Sequence, residues 1–133
     1  MSDLCTRSRN NAPMPSLLIQ LGSHDARPGV PAALEQALAA LRAGWHVTVY
    51  LYGDGAYLVD EGLASVLTAA TNGHPAIWET WSEVVTAGAA IWVNDLDFEH
   101  RGRRRNSLLG EPGLVSADVL IAHLPSFDHV LTY

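Results

Sequence analysis

With 133 residues the chain has the length of one domain, and its 48% hydrophobic and 17% charged residues suit a buried core and argue against intrinsic disorder. The formal charge of −6 disfavours an extended nucleic-acid footprint, because phosphate backbones are repelled at long range. All eight cationic side chains are arginine, which excludes a lysine Schiff base and a P-loop lysine, and the single cysteine, Cys5, excludes an intrachain disulfide and a four-cysteine metal site.

Residues 1–15 carry Asn10, Asn11, Pro13 and Pro15 without helical or strand periodicity and read as a mobile tail ahead of a single domain over 16–133. They hold no apolar stretch of the secretory kind, and no run approaches the roughly 18 to 20 residues that cross a bilayer, so no membrane role and a cytoplasmic location are expected. Leu17 to Leu21, ending at Gly22, is a short apolar run suited to a strand buried on both faces. Pro31 fits the first turn of a helix whose stripe is Leu34, Ala37, Leu38 and Leu41, with Gly44 as its left-handed cap. Trp45 to Tyr52, rich in β-branched and aromatic residues, is the second strand, and Gly53-Asp54-Gly55 turns the chain at its end.

Leu63, Val66 and Leu67 imply a short helix, broken by Asn72-Gly73-His74-Pro75. Ile77 to Ala87 is a further helix, with Trp78, Trp81, Val84 and Val85 on its apolar side and Gly88 as its stop. Ala89 to Val93 is the third strand, and Asn94 to Arg105 reads as a charged connection. Ser116 is a good N-cap for a helix that carries Asp118 in its first turn and stops at Pro125, and Val130 to Tyr133 is the last strand. This alternation predicts a three-layer α/β fold, a mostly parallel sheet of about five strands with helices on both faces. Ligands gather at the carboxyl edge of such sheets, here at the loops Gly22 to Asp25, Gly53 to Gly55 and Asn94 to His100.

The order and spacing of these pieces resemble the DsrE/DsrF-like (TusD-like) sulfur-relay family. The resemblance rests on the strand ending in Gly22-Ser23, the alanine- and leucine-rich helix closed by Gly44, and the Gly53-Asp54-Gly55 turn. The strand up to Val93, the Arg101-Gly102 pair and the ending Asp128 to Tyr133 extend it. It implies the DsrE-like, flavodoxin-like topology, assembly as a trimer or hexamer, and sulfur-relay partner proteins. It also implies a persulfide-bearing cysteine just after the third strand, where this chain reads Val93-Asn94-Asp95-Leu96. Neither an amide nor a carboxylate can accept and release sulfane sulfur, so thiol-based transferase activity is not expected.

Two functions therefore stand side by side. One is a binding or structural subunit without the family's cysteine. The other is a small enzyme or a ligand- or metal-binding protein that uses a crevice around His24, Asp54 and Asp95. The ligand-binding residues expected are Ser23, His24, Gly53, Asp54, Gly55, Asn94, Asp95 and Arg101. No catalytic residue is assigned and no cofactor is expected.

Asp95, Asp97, Glu99 and His100 could gather a divalent cation, with His24 and Asp54 nearby. An EF-hand loop is excluded, since His100 stands where glycine is needed and Asn106 where the bidentate acid should be. The favoured reading is a solvated loop whose acids pair with Arg101, Arg103, Arg104 and Arg105, leaving no metal site. His46, within a strand, reads as a packed histidine. Trp78, Trp81 and Trp92 read as core or subunit-interface residues, and no nucleophile elbow or dinucleotide fingerprint occurs.

Overall fold

Leu17, Leu18, Ile19 and Leu21 are all buried in strand β1, Ser16–Leu21, an interior strand of a parallel sheet. The computed structural model of the chain describes residues 14–23, 29–59, 77–101 and 111–133. The chain continues into α1, Gly29–Arg42, whose buried residues Val30, Ala33, Leu34, Ala37 and Leu38 follow helical spacing and turn one stripe to the sheet. Helix α1 ends in a Schellman motif: Gly44 adopts φ 88°, Trp45 N–H donates to the Ala40 carbonyl at 3.0 Å and Gly44 N–H to that of Leu41 at 3.0 Å.

Strand β2, His46–Leu51, follows, and then a 3-10 helix over Gly53–Val59. Helix α2, Ile77–Thr86, closes on Gly88 with the same pair of bonds as α1, Gly88 to Val85 and Ala89 to Val84. Strand β3 is Ala90–Asn94, helix α3 Asp95–Arg101 and strand β4 Gly113–Val115. Helix α4, Ala117–His123, is capped by Ser116, whose side chain accepts from Val119 N–H, and a 3-10 turn at Leu124–Ser126 leads to β5, His129–Thr132.

All five strands are parallel, in the order β4-β3-β2-β1-β5. The α/β class is as the sequence implies, but the order differs from the 2-1-3-4-5 of flavodoxin-like sheets. From β1 to β4 the chain moves in one direction across the sheet. Right-handed crossovers therefore place α1, α2 and α3 on one face, and the return from β4 to β5 places α4 on the other. The larger core joins Leu17, Ile19, Leu21, Val49, Leu51 and Val93 to α1, to Trp81 and Val84 of α2, and to Phe98 of α3. The second core is small, with Leu18, Tyr50, Val115 and Leu120 at its centre.

Two expectations need correction, and one strand has no counterpart among them. The charged connection expected over Asn94 to Arg105 is in part a helix: after β3 ends at Asn94 the chain enters α3, with Glu99 and His100 exposed, Asp97 half-buried and Phe98 buried. His46 is exposed at the start of β2 and not packed. Strand β4 has only three residues, too few to show periodicity. The helix expected around Leu63 to Leu67 lies outside the described residues, as do most of the tail and Arg103 to Arg105.

Candidate functional site

Alternation along β2 turns Val47, Val49 and Leu51 to the larger core and Tyr50 to the opposite face. Tyr52, just past the strand, lies on the same side, and the two rings stack with centroids 6.2 Å apart and planes 19° from parallel. Gln20 pairs in register with Tyr50, and its carboxamide donates to the Thr132 hydroxyl at 3.0 Å. Asn94 ends β3. These side chains, with Asp97 of α3, form one wall of a cavity of about 340 Å³, and Leu120 and Ile121 of α4 form the other. The cavity opens at the carboxyl edge of the sheet, where such folds place ligands.

A continuous set of hydrogen bonds fixes the polar wall. The Asn94 carboxamide nitrogen donates to the Tyr50 hydroxyl at 2.9 Å, while its oxygen accepts from Asp97 N–H at 3.0 Å and so caps α3. The Asp97 carboxylate accepts from Gly53 N–H at 2.7 Å, tying α3 to the turn after β2. The Tyr52 hydroxyl donates to the Tyr133 carbonyl at 3.3 Å, and the Tyr52 ring lies over Gly22, where a Cβ would strike it. Burial pushes the Tyr50 phenol above its ordinary pKa, the bond from Asn94 opposes this, and the charges of Asp97 and Asp95 add to it. The phenol is thus held as a neutral hydrogen-bonding group.

Of the residues expected to bind ligand, Asn94 lines this cavity. Gly53 supports it through Asp97. Gly55 is buried against the backbone of Leu21 and Ser23, and Ser23 is half-buried beside it. Asp54 is exposed. Asp95 turns to its own helix start, accepting from Leu96 N–H at 2.8 Å. Arg101 is the last residue of α3, and His24 lies outside the described residues. Among the described residues no group of three or more His, Cys, Asp and Glu is placed to hold a metal ion. Glu99 and His100 are exposed on α3, so the acidic run does not converge on one point.

The sequence reading missed Gln20, Tyr50 and Tyr52 as site residues, and took Asp97 only as part of the acidic run. The available signal was the i, i+2 spacing of Tyr50 and Tyr52 at a strand end, which places both on one face. A larger cavity of about 440 Å³ lies at the amino end of the sheet, between α1 and β5. Its walls include Leu17, Ala40, Leu131 and Trp45, the last stacked on His129 at 5.3 Å. It is apolar and lies away from the strand ends where the polar groups gather.

No family model matches the chain, and no curated protein matches it in sequence. Solved structures do match in fold. The YchN protein from E. coli superposes with a TM-score of 0.67 at 15% identity, over 90% of this chain and 99% of that one. A conserved protein of unknown function from Bacteroides thetaiotaomicron superposes with a TM-score of 0.59 at 18% identity, over 88% and 94% of the two chains. YchN has a DsrE-like fold, and at these identities the likeness establishes the shared α/β architecture alone.

Proposed function

We propose that the chain is a ligand-binding subunit of the DsrE-like kind that has given up persulfide chemistry, and that it works in an oligomer linked to sulfur trafficking. The observation that carries this reading is the position of Asn94. It ends the third strand, where the resemblance calls for a cysteine, and its carboxamide is engaged on both sides, by Tyr50 and by the first turn of α3. An amide so placed orders a cavity wall and cannot act as a nucleophile. The adjoining cavity of about 340 Å³ has the size and mixed polar and apolar lining of a small-molecule site, which favours ligand binding over a purely structural role.

Self-association as a trimer or hexamer belongs to the same proposal, in keeping with the exposed Leu96, Leu114 and Ile121. Partner proteins would be sulfur-relay components of the cytoplasm. Purification from native extract, with mass spectrometry of the proteins and small molecules retained, tests the reading. Recovery of a bound small molecule that is lost in Tyr52→Leu supports it. A chain that runs at 14.3 kDa on light scattering at all concentrations and retains neither partner nor small molecule overturns it.

A further inference from the structure

We propose that the strand-end cavity takes a planar ring with an amide edge, an adjacent N–H and C=O as in a lactam, an aromatic carboxamide or a nucleobase, and that the Gln20 carboxamide reads that edge. This names the ligand class of the site proposed above and rests on that reading.

Thr132, Gln20 and Tyr50 stand side by side in register on β5, β1 and β2. The Gln20 nitrogen gives one hydrogen to the Thr132 hydroxyl at 3.0 Å, and that bond anchors the carboxamide. Its second N–H and its oxygen have no partner among the described residues, although the side chain lines the cavity. Turning the carboxamide over leaves a donor and an acceptor spare as before, because a threonine hydroxyl serves in either sense. One spare donor beside one spare acceptor is matched by a group that offers the converse pair, and an amide edge is such a group. Asn94 adds a further donor, since its nitrogen gives one hydrogen to Tyr50 and keeps the second. Both carboxamides are uncharged, so they read a hydrogen-bonding pattern rather than a charge.

The shape calls for a flat ligand. The Tyr50 and Tyr52 rings lie 19° from parallel, and Tyr50 is buried while Tyr52 is half-buried. Tyr52 is therefore the ring within reach of a ligand, in an orientation that Tyr50 supports. Leu120 and Ile121 supply aliphatic surface on the other wall. A gap between an aromatic ring and aliphatic side chains suits a planar ring, and a volume of about 340 Å³ is at the small end for ligand cavities, with room for one ring system.

The test is an NMR titration of the full chain with 2-pyridone, whose ring carries the amide edge, and with N-methyl-2-pyridone, in which the N–H is blocked. Benzamidinium and inorganic phosphate serve as charged probes. 2-Pyridone is expected to shift the side-chain amide signals of Gln20 and Asn94, and to bind on the order of fivefold tighter than its N-methyl form. Gln20→Leu should erase that difference, whereas Tyr52→Leu should weaken both ligands alike. Should Gln20→Leu fail to fold, Thr132→Val replaces it, since releasing Gln20 from its anchor must narrow the gap between the two pyridones. Uracil and benzamide in the same titration tell a nucleobase from a carboxamide ring, and tighter binding of either with the same Gln20 shifts supports the proposal. Equal binding of the two pyridones, or tighter binding of a charged probe that leaves the Gln20 signals in place, overturns the amide-edge assignment and leaves the cavity as a ligand site. If no probe moves these signals, both readings fall.

Discussion

The Asn94 carboxamide and the Tyr50 hydroxyl meet at 2.9 Å, joining the end of β3 to the second face of β2, and the same carboxamide caps α3 through Asp97 N–H at 3.0 Å. One side chain thus orders two elements of the cavity wall. Asn94→Ala removes the cap and one partner of a buried phenol, although the Tyr50 hydroxyl keeps its contact with the Val115 carbonyl. A loss of about 1 to 2 kcal/mol is expected. It should be read as a lower urea midpoint with an unchanged slope. A midpoint within error of the parent would show that the cap contributes nothing.

Tyr50 also predicts an alkaline response. Its folded pKa lies above the ordinary 10.0, chiefly through burial, so ionisation is harder in the folded state than in the unfolded one. The stability this contributes is complete below the unfolded value and is lost as pH rises through the raised folded value. In an ultraviolet titration one tyrosine should ionise later than the rest, and Tyr50→Phe should abolish that late phase. Asp97→Asn should bring the phase to lower pH, because a nearby negative charge is gone. A late phase that persists in Tyr50→Phe assigns it to another residue.

The turn after β2 tolerates no side chain at its buried glycine. A Cβ at Gly55 would overlap the Leu21 carbonyl oxygen, a backbone atom that cannot swing aside. At Gly29, by contrast, the nearest neighbour would be a Tyr133 ring carbon at an ordinary 3.7 Å. Gly55→Ala is expected to cost about 1 to 3 kcal/mol, as overpacking does, and Gly29→Ala less than about 0.5 kcal/mol. Thermal melts of the two variants decide this, and equal melting temperatures would refute the close approach.

The central strands and the two glycine-closed helices were legible because each has a strong local cause. Leu17 to Leu21 is apolar on both faces, and Gly44 and Gly88 alone satisfy the left-handed caps of α1 and α2. Helix α3 was hidden by its own charges, since among its described side chains Phe98 alone is buried and a single buried residue has no period. The site was half legible. Topology pointed to the carboxyl edge and to Asn94, but Tyr50 and Tyr52 read equally well as strand formers, and only the return of α4 across the second face turns them into a cavity wall. Asp54 and Asp95 were credible by type alone. Which way each carboxylate faces depends on helix geometry that spacing does not reveal.

Trp81 binds α2 to the 3-10 helix that follows β2. Its ring is fully buried and its indole N–H donates to the Leu58 carbonyl at 3.0 Å. Trp81→Phe keeps an aromatic ring but leaves a void and an unpaired buried carbonyl, for an expected loss of about 2 to 4 kcal/mol. Chemical denaturation measures it. A loss under about 1 kcal/mol would mean that the site repacks freely.

The last prediction concerns sulfur. A relay protein needs a thiolate in a sheltered, electropositive place, and the strand-end position where the resemblance implies one is filled by Asn94 beside Asp95 and Asp97. The one thiol in the sequence, Cys5, lies where no helical or strand pattern would position it. Incubation of the purified chain with a persulfide donor, followed by intact-mass measurement, should show no stoichiometric gain of sulfur, and Cys5→Ser should behave as the parent does. Asn94→Cys is the sharper arm. Two carboxylates beside the new thiol oppose the thiolate that the start of α3 would otherwise favour, so alkylation near neutral pH should be no faster than that of an ordinary exposed cysteine, and no efficient sulfur carrier should result. The idea fails if the parent takes up one sulfur atom per chain, passes it to an acceptor thiol, and loses both abilities in Cys5→Ser. It fails equally if Asn94→Cys alone produces a fast, low-pKa thiol, because the surroundings of the strand end would then be electropositive and the site would be a relay centre lacking only its sulfur atom.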